Sequence, residues 1–385
     1  MRVTQMMLST NSLRHINQGY NRLASLQDQL ATGKKITRPS QDPVVAMKGM
    51  RYRTQVTEVD QFKRNLSEAY NWLDTADAAL DQATETLRRI RELATQGAND
   101  SYNAEERANI AKEIQQLREH LQSLANTKSS HRYIFNGTDT TNAPIIDMEK
   151  IDIGLETLFD PNTELDKIEL SYDGKIFKEV SNENGQIVFQ AAGQEDVRLI
   201  IEENGNKATF SRPNPNYNES DPTSEETITE TLRPADVIAS YNDAVSINTQ
   251  TVEIELLKGV TIPVNVDPAN IFNNALFGDI IRLEHALNDP GISGNDLTGY
   301  IDNVFGHIDQ FVAERAELGA RVNRVEMMES RLMEQEVSAK NIMSNNEDAD
   351  IEQVIIDLTI QESVHRAALA VGARIIQPTL LDFLR

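Results

Sequence analysis

Six histidines are the side chains of this sequence best suited to binding a metal ion or moving a proton. A zinc site built on one helix needs two histidines four residues apart, with a further ligand elsewhere. No two of these histidines have that spacing, so we expect each to have a structural role and predict no metal site. They are His15, His120, His131, His285, His307 and His365.

Patterns for other kinds of catalysis are missing as well. The sequence has no cysteine, which excludes disulfides, iron–sulfur clusters and thiol nucleophiles. Gly33-Lys34 lacks the glycine five positions earlier that a phosphate-binding P-loop requires. The carboxylates of Glu347, Asp348 and Asp350 cluster at a predicted helix start, where acidic side chains cap backbone N–H groups and interact with the helix dipole. We therefore predict no catalytic residue, no cofactor and no enzymatic activity.

Charge and hydropathy argue against two classes of partner. The net charge is -23, and residues 138–290 hold 29 acidic but only 10 basic side chains, so this segment repels nucleic acid. Arg88, Arg89 and Arg91 have no interleaved aromatic residues and are better interpreted as solvated side chains or as salt-bridge partners between subunits. No window approaches the ~18 consecutive apolar residues of a membrane helix. We expect no nucleic-acid partner and no membrane partner.

Long helices are predicted at both ends of the chain. The first spans roughly residues 5–32, ends at Gly33, and has the narrow three-to-four-residue apolar spacing of a coiled-coil seam. Asp42-Pro43 then predicts a helix start and a second helix that runs to about Gln96. In that helix large apolar residues recur every seven positions, with a smaller residue three behind most of them. The recurring leucines are Leu66, Leu73, Leu80 and Leu87.

Shorter signals complete the helical part. Asn103 with Glu106 predicts a capped helix to about Asn126. Apolar spacing also predicts a long helix from about Ile301, a break at Asn345-Asn346 and a last helix beyond it. The loop Pro39–Pro43 has two interpretations, a plain turn between helices or a contact loop between subunits, and the sequence does not separate them.

The middle of the chain has the alternating pattern of β-strands. Ile168–Tyr172, Gln186–Phe189 and Val197–Ile201 alternate or form short apolar runs, and so does Val252–Val266. Hairpin turns are predicted at Asp173-Gly174, Asn184-Gly185 and Asn204-Gly205, and a loop over Pro213–Glu226.

These elements predict an α+β fold in which the N- and C-terminal arms form a long-helix coiled-coil bundle that carries a β-rich inserted domain. Five segments follow: an N-terminal helical assembly arm (1–42), the N-terminal half of the bundle (43–138), an acidic β-rich surface insert (139–290), the C-terminal half of the bundle (291–345) and a C-terminal helical assembly arm (346–385).

A seam as narrow as that of the first helix cannot be buried by one helix, so the arms need each other and further subunits. Our hypothesis is that both arms are disordered in the monomer and fold on assembly. The predicted assembly interface comprises Leu13, Ile16, Tyr20, Leu23, Leu30, Ile351, Ile355, Leu358, Leu369, Ile376 and Phe383.

Several motifs resemble the flagellin superfamily, and among its members the junction proteins between flagellar hook and filament. These motifs are LATGKKI at Leu30–Ile36 with PSQDP at Pro39–Pro43, RIRELA at Arg89–Ala94, RYIFNGT at Arg132–Thr138 and RAELGARVNR at Arg315–Arg324. Gln41 stands where the junction proteins have Asp. The opening Met1–Gln5, the segment Arg132–Thr138 and the ending Thr379–Arg385 look more like a junction protein than a flagellin. The resemblance covers residues 1–140 and 296–385.

The resemblance implies a structural role in the bacterial flagellum, outside the cell, in which the terminal arms polymerise to join hook to filament. It implies as partners further copies of the chain in a ring, a hook-side junction protein, flagellin, and a cytoplasmic export chaperone that holds the C-terminal arm. Export without a cleavable signal peptide is expected, since Met1–Leu8 has neither the apolar run nor the cleavage site of one. The alternatives are a flagellin filament subunit and a secreted, adhesin-like surface protein.

Overall fold

Long helices dominate the computed structural model, which describes residues 5–99, 102–145, 147–183, 185–202, 205–214 and 227–376. The predicted α+β class, with long terminal helices and a β-rich insert, is confirmed. The helices of the described residues are α1 (Gln5–Thr32), α2 (Pro43–Gly97), α3 (Ala104–Ala125), α4 (Pro268–Ile271), α5 (Asn274–Asn288), α6 (Thr298–Glu347) and α7 (Ile351–Ile376).

The predicted helix ends have the expected chemistry. Gly33 follows α1 with φ +68°, a left-handed conformation that side chains other than glycine avoid. The Asp42 carboxylate accepts from the N–H groups of Val44 (2.9 Å) and Val45 (3.1 Å) at the start of α2. Asn103 and Glu106 form the predicted capping box of α3.

The predicted break at Asn345-Asn346 was wrong, because α6 continues to Glu347. Its last turn is held by neighbours: the Asn346 side chain donates to the Val45 carbonyl (3.0 Å), and the Lys35 N–H donates to the Glu347 carbonyl (2.7 Å). Of the three clustered carboxylates, only Asp350 caps a helix, accepting from the first N–H groups of α7. Glu347 is instead the last residue of α6 and Asp348 follows it, and both pair with cations.

The chain divides into two compact units. The first, called the arm unit here, comprises residues 1–64 and 329–385, and the second, called the core unit, comprises residues 65–328. Both boundaries fall inside long helices, α2 and α6. The assignment of assembly and surface roles to the five predicted segments stays a prediction.

The core unit contains a continuous hydrophobic cluster between its helices. Leu73, Leu80 and Leu87 are fully buried, as the seven-residue repeat predicts for a helix seam. Val304 and Phe311 of α6 belong to the same cluster.

Helix α5 was not predicted. It is buried on nearly all sides between α3 and strand β3 (Ile168–Tyr172), and its sequence repeats apolar residues at helical spacing, namely Leu276, Ile280, Leu283 and Leu287.

A seven-stranded antiparallel sheet lies in the insert, counted over the described residues. Its strand order is β8-β7-β6-β5-β4-β3-β9. The further strands are β4 (Lys175–Glu183), β5 (Gln186–Ala191), β6 (Gln194–Glu202), β7 (Lys207–Pro213), β8 (Thr227–Leu232) and β9 (Ile238–Tyr241). Two short strands precede it, β1 (Lys128–Ser129) and β2 (Arg132–Tyr133).

The residues in each turn explain which hairpins could be predicted from the sequence. The predicted turn Asp173-Gly174 joins β3 to β4 with positive φ at both residues. Asn184 and Asn204, of the other two predicted turns, lie outside the described residues. The hairpin at Ala192-Gly193 was not predicted, because its left-handed glycine (φ +79°) follows an alanine instead of an asparagine or aspartate.

A separate hairpin follows, formed by β10 (Glu253–Leu257) and β11 (Val260–Pro263). The strand pattern predicted up to Val266 was wrong beyond Pro263. There the Asn265 side chain replaces the strand ladder, accepting from the Val252 N–H (2.8 Å) and donating to the Gln250 carbonyl (3.2 Å). Within the described residues, no helix has both the length and the apolar character needed to cross a membrane.

Candidate assembly interface

Exposed apolar side chains are concentrated in the arm unit. Of the 22 large hydrophobic residues that are exposed in the described part of the chain, 17 lie in this unit. Only five of its described hydrophobic side chains are buried, namely Leu26, Val59, Leu332, Ala339 and Val354. The arm unit therefore presents apolar faces without a core of its own to receive them.

Helices α1 and α7 pack against each other in antiparallel orientation. Gly19 faces Gln361, whose side chain donates to the Gly19 carbonyl (3.4 Å), and Tyr20 lies beside His365 with ring centroids 6.0 Å apart. Further along, a Cβ on Gly372 would lie 3.0 Å from the Ile16 side chain. Small residues on both helices thus permit the close approach.

The predicted interface residues separate into two groups. Ile16, Leu23 and Leu358 are half-buried in the pair. The exposed group comprises Leu13, Tyr20, Leu30, Ile351, Ile355 and Leu369. The Ile376 side chain and Phe383 lie outside the described part of the chain. A role of the exposed group between subunits stays a prediction.

Sequence reasoning missed the two best-buried positions of the pair, Leu26 (8% exposed) and Val354 (7% exposed). The inward stripe of α1 passes through Ile16, Gly19, Leu23 and Leu26. Because Gly19 is not an apolar side chain, the three-to-four-residue spacing of this stripe was overlooked. That spacing was the signal that could have identified Leu26.

Backbone hydrogen bonds and ion pairs connect the segment that follows α1 to the segment between α6 and α7. We call this contact the joint. The Ala349 N–H donates to the Gly33 carbonyl (2.8 Å), and Lys34 and Asp348 form an antiparallel bridge. The Lys34 ammonium lies 2.6 Å from Asp348 and 3.7 Å from Glu347. Hydrogen bonds from Lys34 and then Ser344 hold the pKa of Asp348 below its usual value. The motif Leu30–Ile36 therefore positions Lys34 to form ion pairs with Asp348 and Glu347.

Glu347 is the buried member of this joint. Its side chain is 7% exposed, and one carboxylate oxygen accepts from the Arg53 guanidinium at 2.7 Å. Gly49 makes room for it, since a Cβ there would lie 2.6 Å from the other oxygen. The hydrogen bond that Arg53 donates to Glu347 raises the pKa of Arg53.

The loop Pro39–Pro43 is closed on itself by Gln41. The Gln41 side-chain oxygen accepts from the N–H groups of Thr37 (2.7 Å) and Arg38 (3.1 Å). Pro39 and Ser40 are exposed at its tip. This geometry suits a turn and leaves the tip accessible, so both interpretations of the loop remain.

A second ion cluster joins α2 to α6 further from the joint. Glu336 lies 2.8 Å from the Lys63 ammonium and also pairs with Lys340 one turn along α6. Hydrogen bonds from Lys340 and Lys63 lower the pKa of Glu336 to about 2.

The motif Arg132–Thr138 lies in the core unit and turns the chain out of the helices. Phe135 is fully buried and meets Phe272 edge-on at 5.2 Å, and Phe272 in turn meets Phe311 of α6. Asn136 donates to the Asn142 carbonyl (2.9 Å). Gly137 has φ +54°, and a Cβ there would lie 2.8 Å from two backbone carbonyl oxygens.

Three histidines illustrate their structural roles. The buried His307 ring pairs with Asp279 at 2.9 Å, and Asp279 also accepts from Arg282 at 2.8 Å. His285 pairs with Asp152 at 3.3 Å, which raises its pKa against the opposing effect of burial. His365 of α7 packs against Tyr20 of α1. Among the described residues, no group of three or more His, Cys, Asp or Glu side chains is placed to hold a metal ion.

Comparison with known proteins agrees with this geometry. Residues 3–140 match the model of the bacterial flagellin N-terminal helical region. The first third of the chain is therefore similar to the N-terminal helical region of flagellins, the class of protein that its motifs resemble.

Two relatives are more particular, both named flagellar hook-associated protein 3. The protein of Salmonella typhimurium is 28% identical over 145 residues, which are 37% of this chain and 46% of the relative. That of Escherichia coli is 30% identical over 142 residues, 37% of this chain and 44% of the relative. The chain thus spans less than half the length of these relatives. The resemblance predicted from the motifs is confirmed.

A solved structure described as a flagellar hook-associated protein from Vibrio parahaemolyticus is similar with a TM-score of 0.50 and 15% identity. The match covers 80% of this chain and 100% of that one. At this identity the likeness concerns the fold.

Proposed function

We propose that this chain is a structural component of the bacterial flagellum, a junction protein that joins hook to filament by polymerisation of its terminal helical arms. The observation that carries the proposal is the arm unit, which has 17 of the 22 exposed large hydrophobic residues described and only five buried ones. A polymer of copies would cover these faces, since apolar surface that one fold leaves open marks an interaction site. The similarity to two hook-associated proteins supports the same role.

The partners follow from this role. Further copies of the chain form a ring, a hook-side junction protein lies below it and flagellin lies above. A cytoplasmic export chaperone holds the C-terminal arm before export, when Ile355, Ile360 and Val364 of α7 would otherwise be exposed. The protein then functions outside the cell, as part of the flagellum, and without enzymatic activity.

A flagellin filament subunit is the second candidate. It is favoured by the match of residues 3–140 to the flagellin N-terminal helical region. Both candidates use the helical arms in the same way and differ in where the chain stands along the flagellum.

Immuno-gold electron microscopy of intact flagella separates them, with antibody raised against residues 139–290. Label in one short band at the hook–filament boundary is the expected result. Label along the whole filament would instead assign the flagellin role. Absence of label from flagella would refute both roles and leave an adhesin-like surface protein as the remaining alternative.

The dependence on the arms can be tested by truncation. Deletion of residues 351–385 removes α7 and should abolish incorporation into flagella. The core unit should stay folded, which the fluorescence of its buried Trp72 reports. Recovery of the truncated chain in purified flagella would contradict polymerisation through the arms.

A further inference from the structure

Helix α2 has an apolar patch near its start that nothing in the described chain covers. Val44, Met47 and Met50 are 55%, 62% and 60% exposed. Their spacing of three residues places them on one face of the helix. The face toward α6 is a different one, on which Val45 and Gly49 meet Asn346 and Glu347. We call these three residues the α2 patch.

Helix α6 has a complementary feature on its own outward face. Met333, Val337 and Ile342 are 50%, 60% and 43% exposed and line a shallow groove with two small polar residues, Ser338 and Asn341. The opposite face of α6 is occupied, since Leu332 and Ala339 are buried. We call this feature the α6 groove.

An exposed charge accompanies each feature, and the two charges are opposite. Arg51 is adjacent to the α2 patch, and Glu334 lines the α6 groove. In the part of the chain that the structure describes, neither side chain has an ion-pair partner. The surrounding segments have the same signs, with six basic and one acidic residue over 34–53, against two basic and six acidic over 329–350.

We propose that the α2 patch of one copy packs into the α6 groove of a second copy of this chain, with Arg51 of the one paired to Glu334 of the other. The inference rests on the proposed function, because it names the contact by which copies of the chain polymerise. Exposed apolar surfaces that carry opposite charges on one chain favour such a pairing of copies.

The two surfaces differ, so the contact is heterologous and repeats from head to tail, which generates a ring or an open helix of subunits. The alternative, a two-fold contact of one α2 patch with another, would place the basic residues Lys48 and Arg51 against their own copies. Like charges that face each other across an interface disfavour it.

Cysteine trapping tests the contact directly, because the chain has no cysteine of its own. The variant Met47→Cys with Val337→Cys is produced as the full chain in flagellated cells that lack the unmodified copy. Flagella are purified, oxidised mildly and analysed on a non-reducing gel with antibody to the chain. A ladder of dimers, trimers and larger species is expected, because each copy offers one cysteine to each neighbour.

Two controls make the ladder specific. Either single variant can form dimers at most. The pair Val180→Cys with Val337→Cys introduces cysteines at positions equally exposed, 60% each, but Val180 lies in the sheet domain and should give no ladder.

Charge reversal provides the second readout. Arg51→Glu and Glu334→Arg should each lower incorporation into flagella roughly tenfold, the effect of about 1.4 kcal/mol. The double variant should restore incorporation, which a merely misfolded single variant could not explain.

The outcomes distinguish the two levels of the proposal. Chain present in flagella without a ladder specific to the Met47–Val337 pair, or single reversals without effect, would overturn the inference and leave the junction role intact. Absence of the unmodified chain from flagella would overturn the proposed function and this contact with it.

Discussion

The substitution Gly137→Ala tests how the motif Arg132–Thr138 directs the chain out of the helices. Gly137 has φ +54°, and a Cβ there would lie 2.8 Å from the carbonyl oxygens of Asn248 and Gln250. An L-residue in the left-handed region costs about 1–2 kcal/mol. Overpacking against backbone that cannot rotate away costs about 1–3 kcal/mol more. We therefore expect Gly137→Ala to lower the free energy of unfolding by about 2–5 kcal/mol.

Gly259→Ala is the matched control. Gly259 has φ +76° in the turn between β10 and β11, but nothing lies within 4 Å of its Cβ position. This turn joins strands whose buried Leu256 and Ile262 belong to the same hydrophobic cluster as Phe135. Gly259→Ala should lower the free energy of unfolding only by the cost of the left-handed conformation, about 1–2 kcal/mol.

Urea unfolding followed by tryptophan fluorescence measures both variants. Trp72 is the single tryptophan of the chain and is 3% exposed in the core unit, so its emission reports unfolding of that cluster. The difference between the two variants isolates the clash with the carbonyl oxygens. If their unfolding free energies agreed within about 0.5 kcal/mol, the usual error of such comparisons, the argument from close approach would be refuted.

Three further predictions concern charge and order. Glu336 has a folded pKa of about 2, so its contribution to arm-unit stability is full above its unfolded value and is lost as pH falls from about 4.5 to about 2. Circular dichroism through an acid titration should show this loss, and Glu336→Gln should lack it. The pKa of His285 is raised, mainly by Asp152, so its contribution is full below about pH 6.5 and is lost as pH rises through the folded value. The free energy of unfolding, measured by Trp72 fluorescence, should fall over that pH range. The variant His285→Asn should lack this pH dependence. Finally, amide hydrogen exchange of the dilute monomer should be much faster in α1 and α7 than in the second half of α2, and protected arms would contradict the hypothesis that they fold on assembly.

The helices of this chain that bury one face could be predicted from the sequence. Leu73, Leu80 and Leu87 repeat every seven residues because they fill one continuous seam, and all three are fully buried. The caps at Asp42 and Asn103 were equally readable, since their side chains act within three residues of their own position.

Elements that depend on long-range contacts were not readable. Helix α5 is an exception, because the helical spacing of its apolar residues could have predicted it; they are Leu276, Ile280, Leu283 and Leu287. The end of α6 was misplaced by two residues because Asn346 and Glu347 are held by Val45 and Lys35, about 300 positions away in sequence.

The candidate interface was only partly readable for a related reason. Apolar spacing does not say which residues of a helix meet a partner within the chain and which meet a partner outside it. Tyr20 and Leu30 fit the seam by spacing but are 65% and 38% exposed, while Gly19 and Leu26 line the pair. The same ambiguity is expected wherever a helix has two apolar faces.

Two apolar faces on one arm also constrain what happens before assembly. The face of α7 that carries Ile356, Ile360 and Val364 is about half exposed when the helix is paired with α1. Apolar surface of this kind promotes association with any available partner. A monomer with both arms folded would therefore associate wherever it met another copy. Assembly limited to one place requires that the arms stay unfolded, or that another protein covers them, until a growing end supplies the missing faces.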